Sequence, residues 1–180
     1  MLCVYGIQAQ SGSDSEKLTI EDGLSQGFIT HITQDKEGFL WIGTSNGLNR
    51  YDGKEIKKFT HDPLNPYSIA SNWINSVADL GSYMLVGLRD GLVDIYDKRT
   101  RQFYRLSNLD SQPQKRAYGI ISSIWIDSES SIWIVEDGNN VINLKLSKKS
   151  GKSMPEVNII REFNISNKGE CRNINLKESV

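Results

Sequence analysis

Two pairs of carboxylates, Asp35 with Glu37 and Asp127 with Glu129, are the side chains whose types and spacing best suit acid–base chemistry. Such a pair works when one member is protonated, the other ionised, and a substrate lies between them. Both pairs, however, stand at matching places of a repeated segment, and recurrence points instead to a turn closed by a short acidic side chain. The remaining reactive types are scattered. His31 and His61 match no spaced metal motif, and Cys3 and Cys171 lie near opposite ends of the chain. Neither a zinc site nor a disulfide framework is expected from that pattern. No Ser-His-Asp grouping and no phosphate-cradling glycine loop stands out. The sequence therefore predicts no catalytic residue, no metal and no cofactor.

A second set offers recognition rather than reaction. Asn46, Asn72, Trp73, Arg89 and Asp90 bring amides, both signs of charge and an aromatic ring. Those types suit an oligosaccharide, held by hydrogen bonds and by stacking of its apolar face on a ring. Gln26, Ser45, Asp137 and Gly138 fall at comparable loop positions.

The elements that must position these residues come from an internal repeat. Ile32, Asp35, Glu37 and Trp41 are matched by Ile124, Asp127, Glu129 and Trp133, each 92 positions later. A copy midway begins at Trp73-Ile74 and leads through Asp79 to Met84-Leu85-Val86-Gly87. Gly43 to Leu48 parallels Gly87 to Leu92, and Tyr51-Asp52 parallels Tyr96-Asp97; Val135 and Glu136 replace the Gly-Thr pair in the third copy.

Each copy reads as four strands. Residues 28–33 alternate, Asp35 to Gly38 turns the chain, and Phe39 to Ile42 is a continuous apolar run suited to a strand covered on both faces. Ser45-Asn46-Gly47 turns again, Leu48 to Tyr51 and Ile56 to Phe59 complete the set, and a connection through Pro63 and Pro66 leads on. Four strands per roughly 45 residues is the size of a propeller blade. The predicted fold is all-β: blades of four antiparallel strands, with Asp35, Gly38, Trp41, Gly43, Gly47, Gly87, Gly91, Asp127 and Trp133 as structural repeat positions. Trp41 and Trp133 are expected to pack blade on blade; the matching middle residue is Leu85. Trp73 is expected either at the central cavity or sealing its blade.

The expected divisions are a leader over 1–17, blades over 18–62, 63–107 and 108–165, and the start of a truncated fourth over 166–180. The tract Lys145 to Lys152 is expected as a loop. Because rings close with about 4–8 blades, the reading is an incomplete ring from a longer protein.

The run from Gln34 to Thr44, followed by Asn46-Gly47-Leu48-Asn49-Arg50-Tyr51-Asp52, resembles the two-component regulator propeller repeat. Gly23-Leu24-Ser25 before it and Phe59 to Ile69 after it are similar to the flanking parts of that family. The resemblance is strongest in the first copy and weakest in the third. It implies part of the extracytoplasmic sensor of a hybrid two-component system, responding to glycan breakdown products and homodimeric when intact. The remaining blades would lie elsewhere in the parent protein; kinase and DNA-binding motifs are not present in this sequence. Asp35-x-x-Gly38-x-x-Trp41 is also similar to the structural Asp-box turn of sialidase propellers, without that family's arginine cluster. A protein-interaction scaffold and a fragment of a glycan-processing propeller enzyme are the competing readings.

Composition agrees with a binding module. The 21 basic and 22 acidic residues among 180 leave a formal charge of −1, which offers no electrostatic footprint for nucleic acid. Leu2 to Ile7, followed by Gln8-Ala9-Gln10, resembles the end of a secretory signal and points to export, which the family resemblance would make periplasmic; a frayed cytosolic N-terminus is the competing reading.

Overall fold

The computed structural model describes residues 17–106, 119–137, 139–147 and 155–164. Both cysteines, Gly138, the fourth-blade residues 166–180 and nearly all of the leader lie outside that set.

Among the described residues, twelve strands form three four-stranded antiparallel meanders. The first contains β1 (Ile29–Gln34), β2 (Leu40–Thr44), β3 (Gly47–Tyr51) and β4 (Ile56–Phe59). The second contains β5 (Ile74–Asp79), β6 (Tyr83–Leu88), β7 (Val93–Asp97) and β8 (Gln102–Arg105). The third contains β9 (Ile121–Ile126), β10 (Ile132–Glu136), β11 (Asn140–Ser147) and β12 (Glu156–Asn164). These are propeller blades, stacked face to face. The polar tract expected as a loop from Lys145 begins inside β11: Lys145, Leu146 and Ser147 pair with Asn158, Val157 and Glu156. Leu144 and Leu146 alternate with Lys145, so the two-residue period of a half-covered strand continues through the tract.

Burial follows position in the stack. In the second sheet, β7 is buried throughout and β6 from Met84 onward, because both faces are covered. Met84, Val86 and Tyr96 pack toward Trp41 and Leu48 of the first sheet. Leu85 and Ile95 pack the other way, toward Ile124, Ile132 and Ile134 of the third. Among the described residues, the outer faces of the stack carry Ile32, 59% exposed, and Trp125, 43% exposed.

Two glycines set the blade spacing. A Cβ on Gly43 would lie 2.8 Å from Ile74 Cγ2, and one on Gly87 would lie 2.6 Å from Ile121 Cγ2. Each glycine thus receives the first isoleucine of the next blade's inner strand. The third copy has Val135 at this place, so its outer face offers no such recess.

The repeated carboxylates hold turns. Asp35 Oδ1 accepts the amides of Glu37 and Phe39 at 3.0 Å, and Oδ2 accepts Trp41 Nε1–H at 2.8 Å. Asp127 repeats the set with Glu129, Ser131 and Trp133 Nε1–H, each at 2.9 Å. Gly38 and Ser130 take the positive φ of these turns, 92° and 61°. Glu37 and Glu129 project outward, their side chains 58% and 80% exposed. The two aspartates are therefore engaged in the backbone and indole bonds of a turn rather than aimed at a shared substrate.

The tryptophans divide. Trp41 is fully buried, stacked with Phe59 at 5.8 Å and edge-on to Tyr96 of the second sheet at 5.5 Å. Trp133 is half-buried and stacks at 5.9 Å on Trp125 of its own sheet.

Candidate ligand-binding face

At one end of the stack, three turns stand beside the residues that lead into three inner strands. Ser45 N–H donates to the Phe28 carbonyl at 3.3 Å, Arg89 N–H to that of Trp73 at 3.1 Å, and Asp137 N–H to that of Ile120 at 2.8 Å. One bond per blade therefore fixes the β2–β3, β6–β7 and β10–β11 turns against the start of β1, β5 and β9. Asn46 follows directly on the first turn and is exposed; Arg89 and Asp90 are exposed on the second.

Asn72 joins two blades. Its carbonyl accepts Gly47 N–H at 2.6 Å from the first blade's turn, and its Oδ1 accepts His61 N–H at 2.7 Å. Its carbonyl and side-chain oxygen thus brace the connection, while its neighbour Trp73 is 36% exposed. Gly47 takes φ 131°, a conformation that suits glycine, and sits against the Ser25 side chain. Behind the turn, Thr44 Oγ1 accepts Asn46 N–H at 3.0 Å and donates to the Gly47 carbonyl at 2.9 Å. The turn residues are consequently held by buried groups rather than by their own exposed side chains.

Arg89 lies over Trp73, its guanidinium carbon 4.0 Å from the ring centroid. A cation held flat on an indole contributes about 0.5–1 kcal/mol at an exposed site. Arg89 carries no ion pair among the described residues. The pair combines a flat apolar surface with a charge whose N–H groups point outward in the guanidinium plane. Sequence spacing thus brings Trp73, Arg89, Asp90 and Asn46 to one end of adjacent blades.

Phe28 and Ile120 belong to the same face and escaped the sequence analysis. They are 61% and 47% exposed and occupy the position of Trp73, each directly before the isoleucine that starts an inner strand. The available signal was that Phe28-Ile29, Trp73-Ile74 and Ile120-Ile121 share this placement. Differing residue types at the first member obscured it.

Residues 23–46, which include the first blade's β1, β2 and intervening turn, match the family model described as Two component regulator propeller. The match to that repeat is confined to the first blade. A 49-residue stretch is 47% identical to Histidine kinase P4 of Formosa agariphila, covering 27% of this chain and 4% of that protein. Among solved structures, the extracellular domain of hybrid two component system BT3049 from B. thetaiotaomicron superposes with a TM-score of 0.61. Its identity is 24%, over 72% of this chain and 18% of that one. A luciferin-regenerating enzyme superposes at 0.50, with 19% identity over 76% of this chain and 46% of its own. The two structures establish the propeller architecture, which occurs in the extracellular domain of a hybrid two component system in one case and in an enzyme in the other; fold alone does not choose between them. The chain spans only 4% of the histidine kinase and 18% of the BT3049 domain that it matches.

Proposed function

We propose that these blades belong to the extracytoplasmic sensor of a two-component signalling protein, and that they recognise an oligosaccharide released by glycan breakdown. The observation that carries the reading is the coincidence of the regulator-propeller match with the first blade, next to the exposed Trp73–Arg89 platform. A sugar ring stacks its C–H face on an aromatic surface, and its hydroxyls accept hydrogen bonds from groups such as Arg89 and Asn46 and donate to Asp90. The chain's role is recognition; phosphoryl transfer belongs to other parts of the parent. Remaining blades complete the ring, the intact sensor is a homodimer, and the face looks into the periplasm.

The test is calorimetric titration of the full chain with a panel of neutral and acidic oligosaccharides. Saturable binding to at least one, lost in Trp73→Ala and Arg89→Gln, supports the reading. Binding that survives both substitutions, or its absence across the panel, opposes it. A protein-docking scaffold is the second reading, favoured by exposed Phe28, Trp73 and Ile120 recurring at one position per blade. It predicts instead that Phe28→Ser and Ile120→Ser abolish association with a protein partner.

A further inference from the structure

The opposite end of the first two blades holds a different cluster. Arg50 on β3 pairs directly with Lys57 on β4, and Trp41 on β2 is the other cross-strand neighbour of Arg50. Like charges at directly opposed positions repel. Aromatic rings line the cluster: the Arg50 guanidinium lies 4.5 Å from the Phe39 centroid, and Lys57 Nζ lies 5.1 Å from that of Phe59. Phe59 in turn meets Tyr96 of the second blade at 5.2 Å.

The second blade contributes a donor and a further cation. Tyr96 is fully buried, yet its hydroxyl has no partner; Arg50 Nε is also buried without one. Arg101, at φ 60° in the β7–β8 turn, is near enough for its charge to act on both Lys57 and Tyr96. Burial lowers the Lys57 pKa first, and the charges of Arg50 and Arg101 lower it further.

Two carboxylates adjoin the cluster, the charge of Arg50 acting on Asp52 and that of Asp97 on Tyr96, and each gives one oxygen to turn amides. Asp52 Oδ1 accepts the Lys54 and Glu55 amides, and Asp97 Oδ1 accepts those of Arg99 and Thr100. Among the described residues, none forms an ion pair with Arg50, Lys57 or Arg101.

We propose that Arg50, Lys57, Arg101 and Tyr96 form a tetrahedral-oxyanion site, of the phosphate or sulfate class, between the first and second blades. A buried polar group without a partner is destabilising, and water would satisfy the Tyr96 hydroxyl while leaving the cations to repel one another. A dianion answers both needs. Its oxygens point in several directions, matching donors that arrive from two blades, whereas a carboxylate presents two oxygens in one plane. Bound there, the anion ties the blades together at the end remote from Trp73.

The probes are sodium phosphate and sodium sulfate, titrated against the full chain and compared with sodium chloride at equal ionic strength. Excluded-salt stabilisation grows without saturating; site binding saturates. The expected result is a saturable rise in melting temperature, with affinity reduced at least tenfold in Lys57→Gln and Arg101→Gln. Both residues are exposed, so these variants retain the fold. In the absence of anion, Lys57→Gln is expected to melt higher than the parent, because it removes repulsion from Arg50. A non-saturating rise, unchanged affinity in both variants, or a lower anion-free melt of Lys57→Gln overturns the site. With saturation established, glycerol 1-phosphate binding as tightly as inorganic phosphate assigns the end group of a larger ligand. A tenfold preference for inorganic phosphate assigns the free ion.

Discussion

Lys98 of the second blade places its ammonium 2.9 Å from Asp35 Oδ2 in the first blade, and 3.0 Å from Asp79 Oδ1 in its own. The Asp35 carboxylate is fully buried and the Lys98 side chain is 11% exposed, so solvent screens the bridge poorly. Lys98→Met leaves two carboxylates without their cation and is expected to destabilise the chain by about 3 kcal/mol. Urea unfolding measures it. An unchanged midpoint would show that the turn bonds alone hold the two blades in place.

The same group gives an acid limb. Burial pushes the Asp35 pKa up, but the Trp41 N–H and the Lys98 ammonium outweigh it and leave the carboxyl below its usual range. A depressed folded pKa means a contribution present above the unfolded value and lost as pH falls through the folded one. Melting temperature should therefore drop more steeply below pH 4 in the parent than in Asp35→Asn, a comparison that calorimetry makes directly.

Asp94 has the opposite sign. Burial raises its carboxyl to about 6, despite the Ala70 amide and the Arg105 guanidinium, whose NH1 lies 3.0 Å from each oxygen. Between the ordinary carboxylate value and about 6, the folded state binds the extra proton, so this residue's contribution falls as pH rises through that window. A two-unit shift corresponds to roughly 3 kcal/mol. Asp94→Asn should flatten that part of the profile. Asn49 supplies a precedent in the first blade, its Oδ1 accepting the Ser25 amide at 2.8 Å as Asp94 accepts that of Ala70 at 2.7 Å.

Gly87→Ala is expected to destabilise by about 1–3 kcal/mol, because the new methyl meets fully buried Ile121 with no room to retreat. Combined with Ile121→Ala, which removes the Cγ2 methyl it would strike, Gly87→Ala should cost less than the sum of the two single substitutions. Additive effects in chemical unfolding would deny the contact.

How much of this was legible depends on the range over which each relation acts. The Asp35–Trp41 bond spans six residues and repeats as Asp127–Trp133, so the sequence displays it twice. Lys98 lies 63 residues from Asp35, and only the packing of adjacent blades reveals the bridge. The recess at Gly43 was visible as a repeated glycine, but its occupant, Ile74, was not. Strand limits in the third blade were obscured because Lys145 alternates with Leu144 and Leu146 while also opening a polar tract. At the candidate face, Trp73 and Arg89 were both singled out by type, yet their stacking depends on the turn bond between Arg89 N–H and the Trp73 carbonyl.

Adjacent isoleucines provide a test of the face itself. Ile120 is 47% exposed, whereas Ile121 is fully buried under Gly87. Both side chains are identical, so composition and helix or strand propensity do not distinguish them; only the direction each takes from the backbone does. Ile121→Ala removes buried methyl groups from the contact between the second and third blades and is expected to destabilise by about 2–5 kcal/mol. Ile120→Ala preserves the backbone amide that donates to Asp137 Oδ1 at 2.9 Å and should change stability by less than about 1 kcal/mol. If the two variants unfold at the same urea concentration, Ile120 is a core residue and the three-blade apolar row formed with Phe28 and Trp73 is not a free surface. If they separate as expected, the exposed row persists without a structural need for it in these blades. Loss of ligand or partner binding in Ile120→Ala, at unchanged stability, would then assign that row to recognition.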